Sequence, residues 1–69
     1  MDQDEVFLSA AQVKRRYAGV SDMSLWRWSK DPKSGFPAPI MIAGRRYWRL
    51  RDLEQFERES ARRTAAKVA

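Results

Sequence analysis

The chain has 69 residues, which suffices for one small domain with a modest core and limited stability. It contains no cysteine and no histidine, which excludes disulfides and thiolate metal sites and removes the commonest general base. The net charge is +5, and residues 6–51 alone sum to +8, because they contain ten basic and two acidic side chains. Such a basic field favours a polyanionic partner.

The same bulk properties argue against an enzyme and against a membrane protein. A chain this short leaves little room for a deep substrate pocket, and no pair of carboxylates falls in a plausible cleft. No apolar run approaches the roughly 18 residues that span a membrane, and the acidic start does not look like a secretory leader. We expect a cytoplasmic protein that is not an enzyme and has no cofactor, no metal and no small-molecule ligand.

The first predicted helix follows a short lead-in. Residues 1–5 are acidic and are predicted to be disordered, and residues 6–8 are apolar. Ser9 is a good N-cap, and Gln12, three residues later, matches a capping box. The helical spacing of the apolar residues that follow predicts a helix over residues 10–17.

The second predicted helix comes soon after the first. Gly19 can adopt the left-handed conformation that ends a helix. Ser21 is a second candidate N-cap, and Asp22 places a negative charge in the first turn, where the helix dipole favours it. We predict a helix from Asp22 to about Lys30. Two short helices joined by a tight glycine turn are typical of a helix-turn-helix.

A proline-rich loop and a β-hairpin are predicted next. Residues 31–39 hold three prolines and a glycine, and no helix survives that density of breakers. Residues 40–42 and 46–48 are β-prone runs, and residues 43–45 between them are the predicted turn. The result is a hairpin with a basic tip.

The last predicted element is a helix that starts at about Arg51. Leu50, Leu53 and Phe56 are spaced three apart and can face the core, but the start lacks a strong cap. Beyond Phe56 the apolar stripe fades. Residues 58–69 are therefore either a helix extension, a flexible tail or a partner-binding segment.

Together these elements predict an α+β fold, mostly α, of the winged helix-turn-helix type. It comprises two short helices, a β-hairpin wing and a C-terminal helix, and residues 6–57 form the domain. The predicted core residues are Leu8, Val13, Tyr17, Leu25, Trp28, Leu53 and Phe56.

The second helix is predicted to have two faces with different tasks. At about 100° per residue, Leu25 and Trp28 fall on one side, where they can be buried, and a cationic side lies opposite. A recognition helix needs this division, because one side anchors to the domain and the other enters the major groove. Arg27 can read a guanine edge or clamp a phosphate; Trp26 either packs in the core or lies against the DNA backbone. The candidate DNA-contacting residues of this helix are Ser21, Met23, Ser24, Trp26, Arg27 and Lys30.

The hairpin tip is the second candidate contact. Gly44, Arg45 and Arg46 place adjacent cations at a turn, which suits a minor groove with its focused negative potential. Alternation along the second strand directs either Tyr47 or Trp48 toward the core, and the pattern leaves both open. Weaker contacts with the DNA backbone are expected from Lys14, Arg15 and Arg16 at the end of the first helix.

An ordered set of short motifs resembles a known family over residues 6–57. The motifs are FLSAAQV at residues 7–13, GVS at 19–21, SLWRW at 24–28, FPAPI at 36–40, GRRYW at 44–48 and DL at 52–53. In this order and at this spacing they are similar to the AlpA-like and excisionase-like regulators of phages and integrative elements.

The resemblance implies a compact winged-helix fold similar to the DNA-binding domain of MerR-type regulators. It implies DNA contact by residues 24–28 and 44–46, with Arg27 at a contact position and Leu25 and Trp28 at core positions. The family often has a small polar residue before the Asp-hydrophobic pair that opens the last helix. Arg51 stands there in this chain, which leaves the start of that helix undefined and adds a candidate phosphate contact.

The resemblance also supplies the functional expectation. Some members are recombination directionality factors, which bind repeated sites, bend DNA and favour excision by an integrase; others regulate transcription and activate excision genes. We expect a double-stranded DNA-binding protein of the first kind, nucleoid-associated when bound, with the transcriptional regulator as the alternative. One small domain buries little DNA surface, so several copies are expected to bind cooperatively. A remoter alternative is a protein-interaction module whose exposed tryptophans and C-terminal segment bind an integrase.

Overall fold

The computed structural model describes residues 5–68, with side chains through residue 66, and forms an α+β domain. Residues 1–4, most of the acidic segment that is predicted to be disordered, lie outside this range, and Glu5 forms an ion pair with Arg49. The described chain has three helices and one antiparallel sheet with strand order β1-β3-β2. In chain order the elements are β1 (Phe7–Ser9), α1 (Ala10–Arg16), α2 (Asp22–Lys30), β2 (Ile40–Ile42), β3 (Arg45–Arg49) and α3 (Leu50–Val68).

Both short helices begin at the predicted caps. The Ser9 hydroxyl accepts a hydrogen bond from the Gln12 N–H at 3.3 Å, and the Gln12 side chain accepts one from the Ser9 N–H at 2.9 Å. This reciprocal pair confirms the capping box. α1 ends at Arg16, one residue earlier than predicted, and Gly19 has the expected positive φ of +76°.

The first strand was not predicted. The apolar lead-in pairs with β3, with Leu8 opposite Trp48 and Ser9 opposite Tyr47. The pairing also supplies a hydrogen-bond partner for the start of α3. α3 follows β3 directly, and the N–H of Leu50, its first residue, donates to the Val6 carbonyl at 2.9 Å. A backbone group from the other end of the chain therefore satisfies one of the free amides at that helix start.

The hairpin is confirmed, but its turn is shorter than predicted. Two residues, Ala43 and Gly44, connect the strands with φ values of +53° and +77°. Positive φ at both central residues is the geometry of a type I′ turn, whose twist matches that of the flanking strands. Arg45, predicted in the turn, is instead the first residue of β3 and pairs with Ile42.

All seven predicted core residues lie in or against the core, two further residues are buried in it, and Ala10 packs against it. Phe36, in the proline-rich loop, is buried, and its ring lies 5.0 Å from Phe56 and 5.6 Å from Trp28 between centroids. Trp48 is also buried and donates its indole N–H to the Pro37 carbonyl at 3.0 Å. Strand alternation therefore directs Trp48 inward, and Arg46, two residues earlier, lies on the same face of the sheet.

The C-terminal segment is helical through Val68. The side chains of residues 61–66 are exposed, so this part of α3 extends beyond the core. None of the helices within residues 5–68 combines the length and the apolar character that a membrane span requires.

Candidate nucleic-acid interface

One side of α2 is buried and the other is open to solvent. Leu25 is fully buried, whereas 61% of Met23 and 53% of Trp26 are exposed. Arg27 and Lys30 are exposed on the same side as these two residues. Because successive residues turn by about 100°, this division follows from the sequence, and it places Trp26 outside the core.

The hairpin lies beside the exposed side of α2. The Arg46 guanidinium is 3.6 Å from the Asp22 carboxylate at the start of α2. A valley between the helix and the hairpin is lined by Trp26 and Lys30 on one side and by Met41 and Arg46 on the other. We call this continuous area the α2–hairpin surface, defined by Asp22, Met23, Trp26, Arg27, Lys30, Met41 and Arg46.

Asp22 links three elements at the edge of this surface. Its carboxylate accepts a hydrogen bond from the Lys14 ammonium of α1 at 2.9 Å and also lies near Arg46. The Lys14 ammonium lowers the pKa of Asp22 below its ordinary value, and Arg46 adds to the effect. Two of the predicted DNA-contacting cations are therefore held in place by a carboxylate that partly offsets their charge.

The two arginines at the hairpin tip point to different sides. Arg46 shares a face with Trp48, and its guanidinium lies 5.8 Å from the centroid of that indole ring. Arg45 pairs with Ile42 on the opposite face and is exposed. Of the two arginines predicted to contact DNA, Arg46 is therefore directed toward α2, whereas Arg45 lies outside the valley.

The two serines at the start of α2 are partly engaged in capping. The Ser21 hydroxyl accepts from the Ser24 N–H at 3.1 Å and donates to the Ser24 hydroxyl at 3.2 Å. The Ser24 hydroxyl accepts in this pair, and a hydroxyl that accepts can still donate its own hydrogen to a phosphate. Ser21 therefore acts mainly on the helix start, and Ser24 keeps a donor for a ligand.

Arg15 and Arg16, the remaining predicted contacts with the DNA backbone, lie in different surroundings. Arg15 is exposed. The Arg16 guanidinium donates two hydrogen bonds to the Glu57 carboxylate of α3, at 2.5 and 2.7 Å, and the Tyr17 hydroxyl donates a third at 2.6 Å. The Arg16 bonds lower the pKa of Glu57, and burial, together with the bond to Glu57, raises the pKa of Tyr17. The cluster of Arg16, Tyr17 and Glu57 therefore links the C-terminal end of α1 to α3.

No known protein family, curated protein or solved structure matches this chain.

Sequence reasoning missed two residues of the α2–hairpin surface. Met41 is 61% exposed beside Trp26. Strand alternation could have identified it, because Met41 lies on the opposite face of β2 from the two isoleucines on either side of it. The sequence indicates only a helix-dipole role for Asp22, because its two cationic partners are 8 and 24 positions away in the chain. Within residues 5–68, no cluster of acidic side chains has the grouping that a metal ion requires.

Proposed function

We propose that this protein is a sequence-specific double-stranded DNA-binding module of the winged helix-turn-helix type, and not an enzyme. The observation that carries the proposal is the exposed side of α2, which presents Trp26, Arg27 and Lys30 next to a cationic hairpin. α2 has nine residues, and an α-helix with its side chains is about 10–12 Å across, a diameter that a major groove about 12 Å wide accepts. The hairpin then serves as the wing.

Each exposed cation has a distinct task in this proposal. Arg27 donates to a guanine edge, a contact that discriminates between bases. Lys30 and Ser24 bind phosphates and fix the position of the helix. Arg45, at the tip of the hairpin and off the valley, reaches the neighbouring minor groove or its phosphates. Arg46 bridges to the start of α2 and sets the angle between wing and helix.

The biological role rests on the resemblance to the AlpA-like and excisionase-like regulators. We propose a recombination directionality factor that binds repeated sites in several copies and bends the DNA for an integrase. The alternative is a small activator of excision genes. Both roles use the same protein–DNA contacts, so an excision assay with the cognate integrase, compared with a promoter assay, distinguishes them.

A second candidate function is favoured by one observation, the exposure of Met23, Trp26 and Met41. Exposed apolar groups also occur at protein–protein interfaces. In that case the module binds a protein such as an integrase, and its DNA affinity is weak and indifferent to sequence.

The test is a salt series of binding to DNA from the protein's own genomic locus, with excess nonspecific competitor. We expect Arg27→Ala to weaken specific binding by about 5- to 150-fold, the equivalent of a lost base contact. Arg45→Ala should weaken specific and nonspecific binding alike and reduce the salt slope by about 1. Arg58→Ala, which removes an exposed arginine of α3 outside the α2–hairpin surface, is the matched control and should change neither. Weak binding that competitor abolishes equally in all variants would reject the proposal.

A further inference from the structure

Three large apolar side chains form a continuous exposed strip on the α2–hairpin surface. Met23 and Trp26 line one depression with Arg46, and Trp26 and Met41 line the next, also with Arg46. The exposed fractions are 61% for each methionine and 53% for the tryptophan. Isolated exposed apolar residues are common on proteins, but a contiguous strip marks a surface that a partner covers.

Cations border this strip, together with the Asp22 carboxylate at one end. The Lys30 ammonium lies 5.9 Å from the centroid of the Trp26 ring. Arg46 lines both depressions, and Arg27 is exposed on α2 one turn after Met23. An apolar strip inside a cationic border complements a polyanion that carries apolar groups between its charged ridges.

Duplex DNA has this pattern in one place. The major groove runs between two phosphate ridges, and the one apolar group on its floor is the C5-methyl of thymine. Methionine suits contact with such methyl groups, because its unbranched thioether adapts to irregular apolar surfaces. Protein interfaces are also rich in methionine, aromatic residues and arginine, but the net charge of +8 over residues 6–51 favours a polyanion as the partner.

We infer that the strip of Met23, Trp26 and Met41 recognises thymine methyl groups in the major groove. This inference rests on the proposed DNA-binding function and deepens it, because it states which bases the surface reads besides the guanine assigned to Arg27. The preferred site therefore contains thymines whose methyl groups pack against the strip. Met23, on the outer side of α2, makes the principal contact.

The test removes methyl groups from the DNA and leaves the protein intact. The preferred duplex is first selected from a random pool with the full-length chain. Each thymine in the selected site is then replaced by uracil, which differs only by the missing methyl. Burial of one methyl corresponds to about a fourfold change in affinity. We expect a loss of this size at one or more thymines, and equal binding of the thymine and uracil duplexes by Met23→Ala.

Val6→Ala is the matched control variant. Val6 is 46% exposed and precedes β1, at the opposite edge of the sheet from β2. Val6→Ala should keep the full thymine preference. If every uracil duplex binds within the error of the thymine duplex, or if Met23→Ala and Met41→Ala both keep the preference, the strip does not read thymine, although sequence-specific DNA binding stands. If the pool yields no preferred sequence, the proposed function fails and the inference fails with it.

Discussion

The Asp22 carboxylate, at the first turn of α2, lies 2.9 Å from the Lys14 ammonium and is two-thirds exposed. An acidic group at the edge of a surface proposed to bind a polyanion opposes binding, yet it also holds Lys14 and Arg46 in place. Its lowered pKa keeps it ionised throughout the neutral range. If the surface binds DNA as proposed, we expect Asp22 to limit the affinity for phosphates in general and to favour sites where base contacts compensate.

Asp22→Asn tests this role directly. The substitution removes one negative charge and releases two cations to the DNA. We expect tighter binding to nonspecific duplexes, a smaller ratio of specific to nonspecific affinity, and a salt slope steeper by about 1 to 2, since each added phosphate contact contributes about 0.9. Salt titrations on a specific and a scrambled duplex measure both quantities. Asp31→Asn, an exposed change just after α2, is the control, and an unchanged slope in Asp22→Asn would show that the carboxylate does not restrain the cations.

A second prediction concerns the cluster that joins α1 to α3. Because the pKa of Glu57 is lowered in the folded chain, its ionised form stabilises the fold above the carboxyl's ordinary pKa, and this contribution disappears as the pH falls. We expect Glu57→Gln to lower the stability by about 1 kcal/mol at neutral pH, which is a typical value for a partly exposed ion pair. The difference from the unsubstituted chain should vanish in acid. Thermal unfolding between pH 3 and pH 8 measures it.

Thermal unfolding extended above the ordinary phenol pKa of 10.0 isolates Tyr17. Its pKa is raised in the folded chain, so the neutral hydroxyl stabilises the fold below the ordinary phenol pKa, and that stability falls as the pH rises further. Tyr17→Phe should remove this alkaline loss. A difference between Glu57→Gln and the unsubstituted chain that persists unchanged at pH 3 would contradict the ionic account.

The sequence predicted the features that depend on near neighbours. The caps at Ser9 and Ser21 are closed by groups three residues away, and the alternation of exposed and buried residues in α2 is a property of one helix. Such features are fixed by short-range geometry, so the pattern along the chain displays them.

The features that the sequence did not reveal depend on distant partners. The strand over Phe7–Ser9 exists because β3, about 40 residues later, offers it a pairing edge. Phe36 is buried inside a proline-rich loop only because Tyr17, Trp28 and Phe56 converge on it from three other parts of the chain. The bridge from Asp22 to Arg46 requires the hairpin to lie against α2, a relationship that no local pattern contains.

A third prediction uses the hairpin turn. Ala43 has a φ of +53°, which costs an L-residue with a Cβ about 1 kcal/mol, whereas asparagine tolerates this region better. Ala43→Asn creates the Asn-Gly pair that type I′ turns prefer. We expect a gain of roughly 0.5–1 kcal/mol, or an increase in melting temperature of a few degrees. Ala61→Asn, at an exposed position inside α3, should instead destabilise slightly because asparagine is a poorer helix former. If both variants gained the same free energy of unfolding, the turn conformation would not be the cause.

The last prediction addresses the distal part of α3, whose side chains from residue 61 to 66 are exposed. The buried residue of α3 is Leu53, and Phe56 packs against the core beside it, so removal of residues 61–69 leaves the core contacts of the helix in place. If this segment joins neighbouring copies on repeated sites, the truncated chain should bind a single site nearly as well as the full chain does. It should lose the cooperative, ladder-like binding to two or more adjacent sites. Gel shifts on duplexes with one, two and three copies of the site measure the cooperativity. Cooperative binding that survives the truncation would place the contact between copies elsewhere, either on another protein surface or in the bent DNA itself.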